Sequence, residues 1–316
     1  MFYDCKNAQL PLTSLPDGMT TGSNMFYGCK LATLPLESLP ENLKSAGSMF
    51  YNCSSAELPL KKIPDGLTGT NAVGMFYGCT NATLPINELS CRITSGYDMF
   101  NKCSKASFNI TSLPETLTNG KQMFMYCTNA QLPLTSLPDG LTTVNNMFSG
   151  CKNAQLPLTE LPNTINGDAS YMFSECQNAT LHLTSLSNGI TTASYMFYNC
   201  KNARLNLTTL PSGLTNGNSM FYTCLSASFE DLTSLGNSLT NGYGMFQNCI
   251  NAKLKSLSVL PDTLSSANNM FAMCESAELP LTKLPESLSL AQSMFEGCKA
   301  AKFNILTSFP SRTYCC

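Results

Sequence analysis

The dipeptide Met-Phe recurs thirteen times, at Met1, Met25, Met49, Met75, Met99, Met123, Met147, Met172, Met196, Met220, Met245, Met270 and Met294. Successive copies stand 24 residues apart eight times, 25 apart three times and 26 apart once. Cys always follows three residues after the Phe, from Cys5 to Cys298, and Ala three residues later, from Ala8 to Ala301. One unit reads roughly M-F-x-x-C-x-x-A-x-L-P-L-T-S-L-P-x-G-L-T-x-x-x-x. A fragment this short cannot bury its own apolar positions, about eight per unit, whereas stacked copies share a continuous core. Residues identical in every copy are those that must fit the neighbouring copy.

The fold class that follows is a repeat solenoid of about thirteen stacked units, with short parallel strands, turns and at most single helical turns. Ala8, Leu10 and Leu12 alternate, which places a strand there with these side chains inward. Pro11 and its counterparts Pro35, Pro59, Pro85, Pro133, Pro157 and Pro280 lack a ladder N–H, so that strand is expected to run only three or four residues. Pro16-Asp17-Gly18, Pro64-Asp65-Gly66 and Pro138-Asp139-Gly140 carry turn chemistry. No segment has a sustained 3.6-residue period, and any helical turn is expected at Met-Phe-x-x-Cys. Residues 1–316 are thus read as one continuous solenoid, with 309–316 as a possible irregular C-terminal cap.

With 12% charged residues and a net charge of −2 against 43% hydrophobic residues, the chain is too apolar for disorder and too neutral for nucleic acid. No apolar run reaches the ~18 residues of a membrane span, so we expect no membrane insertion by this segment. The sixteen Cys are thirteen column residues plus Cys91, Cys315 and Cys316. Each unit supplies one thiol and no His, which is not the ligand set of a zinc site, so the column is read as a buried thiol ladder. Neither an acid pair, nor a nucleophile with its base, nor a phosphate loop is present; we expect no enzyme activity and no cofactor.

The pattern resembles the BspA-like, Treponema-type leucine-rich repeats of bacterial and protist surface and secreted proteins. The matching residues are Phe2, Cys5, Ala8, Leu15, Pro16 and Met19, repeated as Phe124, Cys127, Ala130, Leu137, Pro138 and Leu141. This chain has an additional Leu-Pro-Leu after the Ala. The resemblance implies a non-enzymatic cell-surface or secreted module for adhesion or recognition, with a protein or glycan as ligand. The alternative is a structural spacer or a self-associating scaffold, including end-to-end association. Because the chain opens directly on a repeat, we expect it to be part of a longer protein.

Two surfaces are candidates for binding. One is the row of outward residues between Ala and Leu: Gln9, Thr33, Glu57, Thr83, Ser107, Gln131, Gln155, Thr180, Arg204, Ser228, Lys253 and Glu278. The other is an aromatic strip following the Phe, formed by Tyr3, Tyr27, Tyr51, Tyr77, Tyr198 and Tyr222, suited to stacking on sugar rings or anchoring a protein, or else simply covering the seam between units. His182, the lone histidine, lies beside the first row without an acid or nucleophile in its own unit. A threonine column at Thr20, Thr68, Thr94, Thr118, Thr142 and Thr191 raises the thought of a flat ice-binding face, but it stands in a turn.

Overall fold

The computed structural model describes residues 2–7, 10–32, 34–56, 58–82 and 84–303. The chain forms two compact units, Met1–Leu156 and Pro157–Cys316. Within each, successive repeats stack as coils.

The second repeat shows how a coil begins. Asn24 (φ 56°) and Gly28 (φ 71°) are left-handed on either side of Met25-Phe26-Tyr27. Overlapping turns close through Met25 N–H to Gly22 O (3.0 Å), Tyr27 N–H to Asn24 O (3.3 Å) and Cys29 N–H to Phe26 O (3.1 Å). The same stretch is tied to the next repeat by Phe26 N–H to Met49 O (2.9 Å) and Gly28 N–H to Tyr51 O (2.7 Å). The expected helical turn is therefore replaced by consecutive β-turns, since left-handed residues on both sides interrupt α geometry. Gly suits the position two after the Phe because it takes φ > 0 without steric cost. At Gly78, an added Cβ would also run into Asn52 Oδ1 of the preceding coil.

These turns aim Phe and Cys inward. In the first unit Phe26, Phe50, Phe76, Phe100, Phe124 and Phe148 are fully buried, and neighbouring rings from Phe26 to Phe124 stack with centroids 5.3–5.5 Å apart. From Cys29 to Cys151 each column thiol donates to the Phe carbonyl of the coil before it, as in Cys53 Sγ to Phe26 O (2.9 Å) and Cys127 Sγ to Phe100 O (3.0 Å). The second unit repeats the arrangement, with Cys224 Sγ to Phe197 O at 3.0 Å and Cys274 Sγ to Phe246 O at 2.9 Å. Cys persists in the column because a small apolar group with one weak donor fills the space and satisfies that carbonyl.

The strand position differs from the sequence expectation. The only strands among the described residues are β1 (Asn166–Asp168) and β2 (Gly189–Thr192), paired in parallel with Asn166 opposite Gly189 and Asp168 opposite Thr192. Single parallel bridges continue the same column in each unit, including Ser95 to Asn119 and Asn119 to Thr143 in the first, and Thr192 to Asn216 and Asn216 to Asn241 in the second. These stand a few residues before Met-Phe, while two further bridges, Lys62 to Glu88 and Thr209 to Ser234, lie two residues after the inward Leu or Ile. After the Ala, Leu132, Leu156 and Leu279 are left-handed (φ 42–43°), and the chain folds around Pro by Leu134 N–H to Leu132 O at 2.8 Å. A turn of this kind, centred on a residue without an N–H, ends any strand. Where Pro is replaced, inter-coil bonds return: Asn109 N–H reaches Ile86 O (3.2 Å), and Asn206 N–H reaches Leu183 O (2.9 Å).

The threonine column lines this bridged stretch. Thr118 and Thr142 each donate a hydroxyl to the carbonyl of the Thr one coil earlier, both at 3.1 Å, and Thr215 and Thr240 do so at 3.0 Å. These hydroxyl bonds run along an exposed face of the column and link neighbouring coils. The expected C-terminal cap, 309–316, lies outside the described residues, as do Cys315 and Cys316.

Candidate recognition surfaces

Because Phe points inward at the crest of the double turn, the next residue points out. In the first unit this places Tyr3, Tyr27, Tyr51 and Tyr77 in a ladder, with ring centroids 4.8, 4.8 and 4.5 Å apart and ring planes within 7°. The spacing matches the ~4.8 Å between neighbouring strands. Face-to-face stacking at this distance leaves no room for a sugar between rings. What the ladder presents is a row of ring edges and phenol oxygens. Burial pushes the Tyr51 phenol pKa up, with further upward shifts from Tyr77, Tyr27 and Asp98, so that hydroxyl keeps its proton and can both donate and accept. Lys102 closes the ladder, its Nζ donating to Tyr77 Oη at 2.8 Å and standing 5.1 Å from the ring centroid.

In the second unit Tyr198 and Tyr222 stack at 5.0 Å, as the strip predicts. Two further rings, Tyr171 and Tyr195, stack beside them at 4.9 Å, and Tyr195 tilts against Tyr198 at 5.5 Å. Together they make a four-ring patch. Tyr171 and Tyr195 both sit immediately before Met, so the column preceding Met-Phe was the sequence signal for them. Both are left-handed (φ 59° and 57°), an uncommon conformation for a bulky residue.

Of the outward row, Ser107, Gln131 and Gln155 in the first unit and Thr180, Arg204 and Lys253 in the second are exposed, while Ser228 and Glu278 are half-buried. Gln9, Thr33, Glu57 and Thr83 lie outside the described residues. Main-chain bonds set the row's spacing: Gln155 N–H to Gln131 O at 2.8 Å, Lys253 N–H to Ser228 O at 2.6 Å, and Glu278 N–H to Lys253 O at 2.7 Å. The one-residue insertions at Glu230-Asp231 and Lys255-Ser256 are local turns that meet across neighbouring coils. There Glu230 bonds Lys253 (2.6 Å) and Lys255 (2.8 Å), and those two hydrogen bonds hold its carboxyl down at about 2.

The thiols from Cys29 to Cys274 are buried, Cys298 is half-buried, and Cys5 and Cys91 are exposed. Among the described residues no group of three or more His, Cys, Asp or Glu side chains is placed to hold a metal ion. No helix among them is long and apolar enough to cross a membrane.

Stacked coils with a Leu/Phe/Cys core, short parallel bridges and no helix among the described residues define a leucine-rich-repeat solenoid. The BspA type leucine rich repeat region family matches residues 1–131, 62–152, 120–253 and 217–315, and the chain belongs to that family. A leucine-rich repeat protein from Bacteroides ovatus superposes with a TM-score of 0.53 at 20% identity, over 96% of this chain and 73% of that one. A leucine rich cell surface protein from Faecalibacterium prausnitzii aligns at 18% identity and a TM-score of 0.37, over 82% of each chain. The leucine rich repeat protein of T. pallidum aligns at 19% identity and a TM-score of 0.34, over 62% of this chain and 72% of that one. No curated protein matches the chain in sequence.

Proposed function

We propose that the chain is a non-enzymatic recognition module displayed at a cell surface or secreted, and that it engages a protein through its tyrosine ladders. The observation that carries this reading is the closed stack Tyr3-Tyr27-Tyr51-Tyr77. Apart from the outer face of Tyr3, its ring faces are taken up by one another and by Lys102, which disfavours sugar stacking along the ladder. Its edges and hydroxyls form a rigid amphipathic strip, and tyrosine makes such contacts at low cost in side-chain entropy. Membership of a family of surface repeat proteins supports the location.

Beads coated with the protein are expected to adhere to members of a panel of immobilised extracellular proteins and not to neutral glycans. Tyr27, Tyr51 and Tyr77→Ala together should abolish adhesion, while the same three positions changed to Phe should weaken it by less. Adhesion that survives the triple Ala variant would contradict the reading. Inertness of the unaltered protein across the panel would favour the spacer alternative.

A further inference from the structure

The second unit holds a polar groove of about 500 Å³, lined by Pro157, Thr159, Thr180, His182, Asn202, Arg204 and Ser226. It forms where two consecutive repeats lack the Pro after the central Leu, with His182 and Asn206 in its place. The N–H groups thus gained tie the coils directly. His182 N–H reaches Leu158 O (2.9 Å) and Asn206 N–H reaches Leu183 O (2.9 Å), alongside the Arg204 N–H to Leu181 O bond (2.8 Å) that needs no lost Pro. These bonds set Thr159, His182, Arg204 and Ser226 in a diagonal line across four coils. The groove's walls are therefore main-chain bonded, and its side chains are fixed relative to one another at their roots.

The chemistry of this lining is selective. The other basic residues of the Arg204 column are committed to carboxylates, Lys253 to Glu230 at 2.6 Å and Lys302 to Glu278 at 3.8 Å. No carboxylate lines the groove around Arg204. A single guanidinium suits one negative charge; a polyanion needs a basic stripe, whereas Arg204 is the only Lys or Arg in the groove's lining. Around it stand three hydroxyls, one amide and one imidazole, all able to bond hydroxyl groups, and the flat apolar ring of Pro157.

From this set we propose that the groove binds an acidic saccharide, with Arg204 forking onto its carboxylate or sulfate. Thr159, Asn202 and Ser226 bond the sugar hydroxyls, His182 bonds one more, and Pro157 meets an apolar ring face. The site is separate from the tyrosine ladders, and neither reading depends on the other.

The test is calorimetric titration of the folded chain with sialyllactose, with a uronic-acid disaccharide in sulfated and unsulfated forms, and with lactose as the neutral control. At least one acidic sugar should bind about tenfold or more tighter than lactose, a difference that one charge-assisted fork supplies. The sulfated and unsulfated arms show whether carboxylate or sulfate is the preferred anion. Arg204→Ala should lose that preference, and Arg204→Lys should recover only part of it. His182→Gln should reduce binding of all the sugars, while Lys201→Ala, outside the lining, should leave binding unchanged. Equal binding of acidic and neutral sugars, no binding of any probe, indifference to Arg204→Ala, or an equal loss on Lys201→Ala would each overturn the proposal. Arg204 is exposed, so a thermal melt of each variant confirms that the fold is retained.

Discussion

The folded chain should come apart cooperatively as the pH is raised from about 9 to 10, well before a typical repeat protein of its composition. The cause is the thiol column. Burial pushes the thiols of Cys79, Cys127, Cys224 and Cys274 well above their ordinary range, that of Cys249 to about 12, and that of half-buried Cys298 to about 11. In the unfolded chain the same thiols ionise near ~8.5. The folded state thus holds protons that the unfolded state gives up, and stability falls as pH rises. The contribution is fully present below the unfolded value and is lost between that value and the folded one. Each thiol contributes about 1.4 kcal/mol of loss per pH unit in that interval. Ten buried column thiols are shifted upward in this way, and together their loss over one pH unit is comparable to the ~5–15 kcal/mol by which domains are ordinarily stable. Circular dichroism against pH, followed together with thiolate absorbance, should show both signals changing in one transition. Replacing Cys103, Cys127 and Cys151 with Ala should move that transition to higher pH, although each change also removes packing.

The second large effect concerns the phenylalanine ladder. Phe100 is fully buried, stacked between Phe76 and Phe124 at 5.5 Å on each side, with Phe108 edge-on at 4.6 Å. Phe100→Ala should destabilise the first unit by about 3–5 kcal/mol, from lost burial plus the cavity left between two rings that the main-chain bonds hold apart. Phe100→Leu should cost less than half of that, because it retains most of the volume. Urea unfolding of both variants measures the difference. A loss of under about 1 kcal/mol for Phe100→Ala would mean that the ladder closes up freely, which interiors packed at crystal density do not do.

The columns that build this core were legible because thirteen copies within one chain reveal which positions tolerate no change. Phe, Cys and Ala stand out for that reason, and from the second repeat to the twelfth all three are buried. The strand was misplaced because alternation of Ala8, Leu10 and Leu12 is also what a turn around Pro produces when Leu on either side points inward. The decisive clue was chemical: Pro11 and its counterparts have no N–H, and the ladder forms at Asn109 and Asn206, where that N–H exists. The double turn around Met-Phe left a trace in the Gly and Asn residues that favour its left-handed positions, such as Gly28, Asn52, Gly78 and Asn199. Lys102, Tyr126 and Thr223 at equivalent positions obscured it. Of the candidate surfaces, the tyrosine strip was visible as a column, but its closed stacking was not. That depends on coil spacing, which no single repeat encodes. The groove at Arg204 came from two absent prolines, a departure from pattern that gains meaning only once the pattern's hydrogen bonds are known.

The cysteine column is the interior of a stack, and the recognition surfaces are its outside. Timed alkylation of the native chain at neutral pH, with each site quantified by mass spectrometry, tests this directly. Cys5 and Cys91 should be modified at the rate of free thiols, while Cys53, Cys79, Cys103, Cys127, Cys200 and Cys224 remain protected until denaturant unfolds the chain. Modification of Cys103 or Cys127 in the folded protein at the rate seen for Cys91 would contradict it.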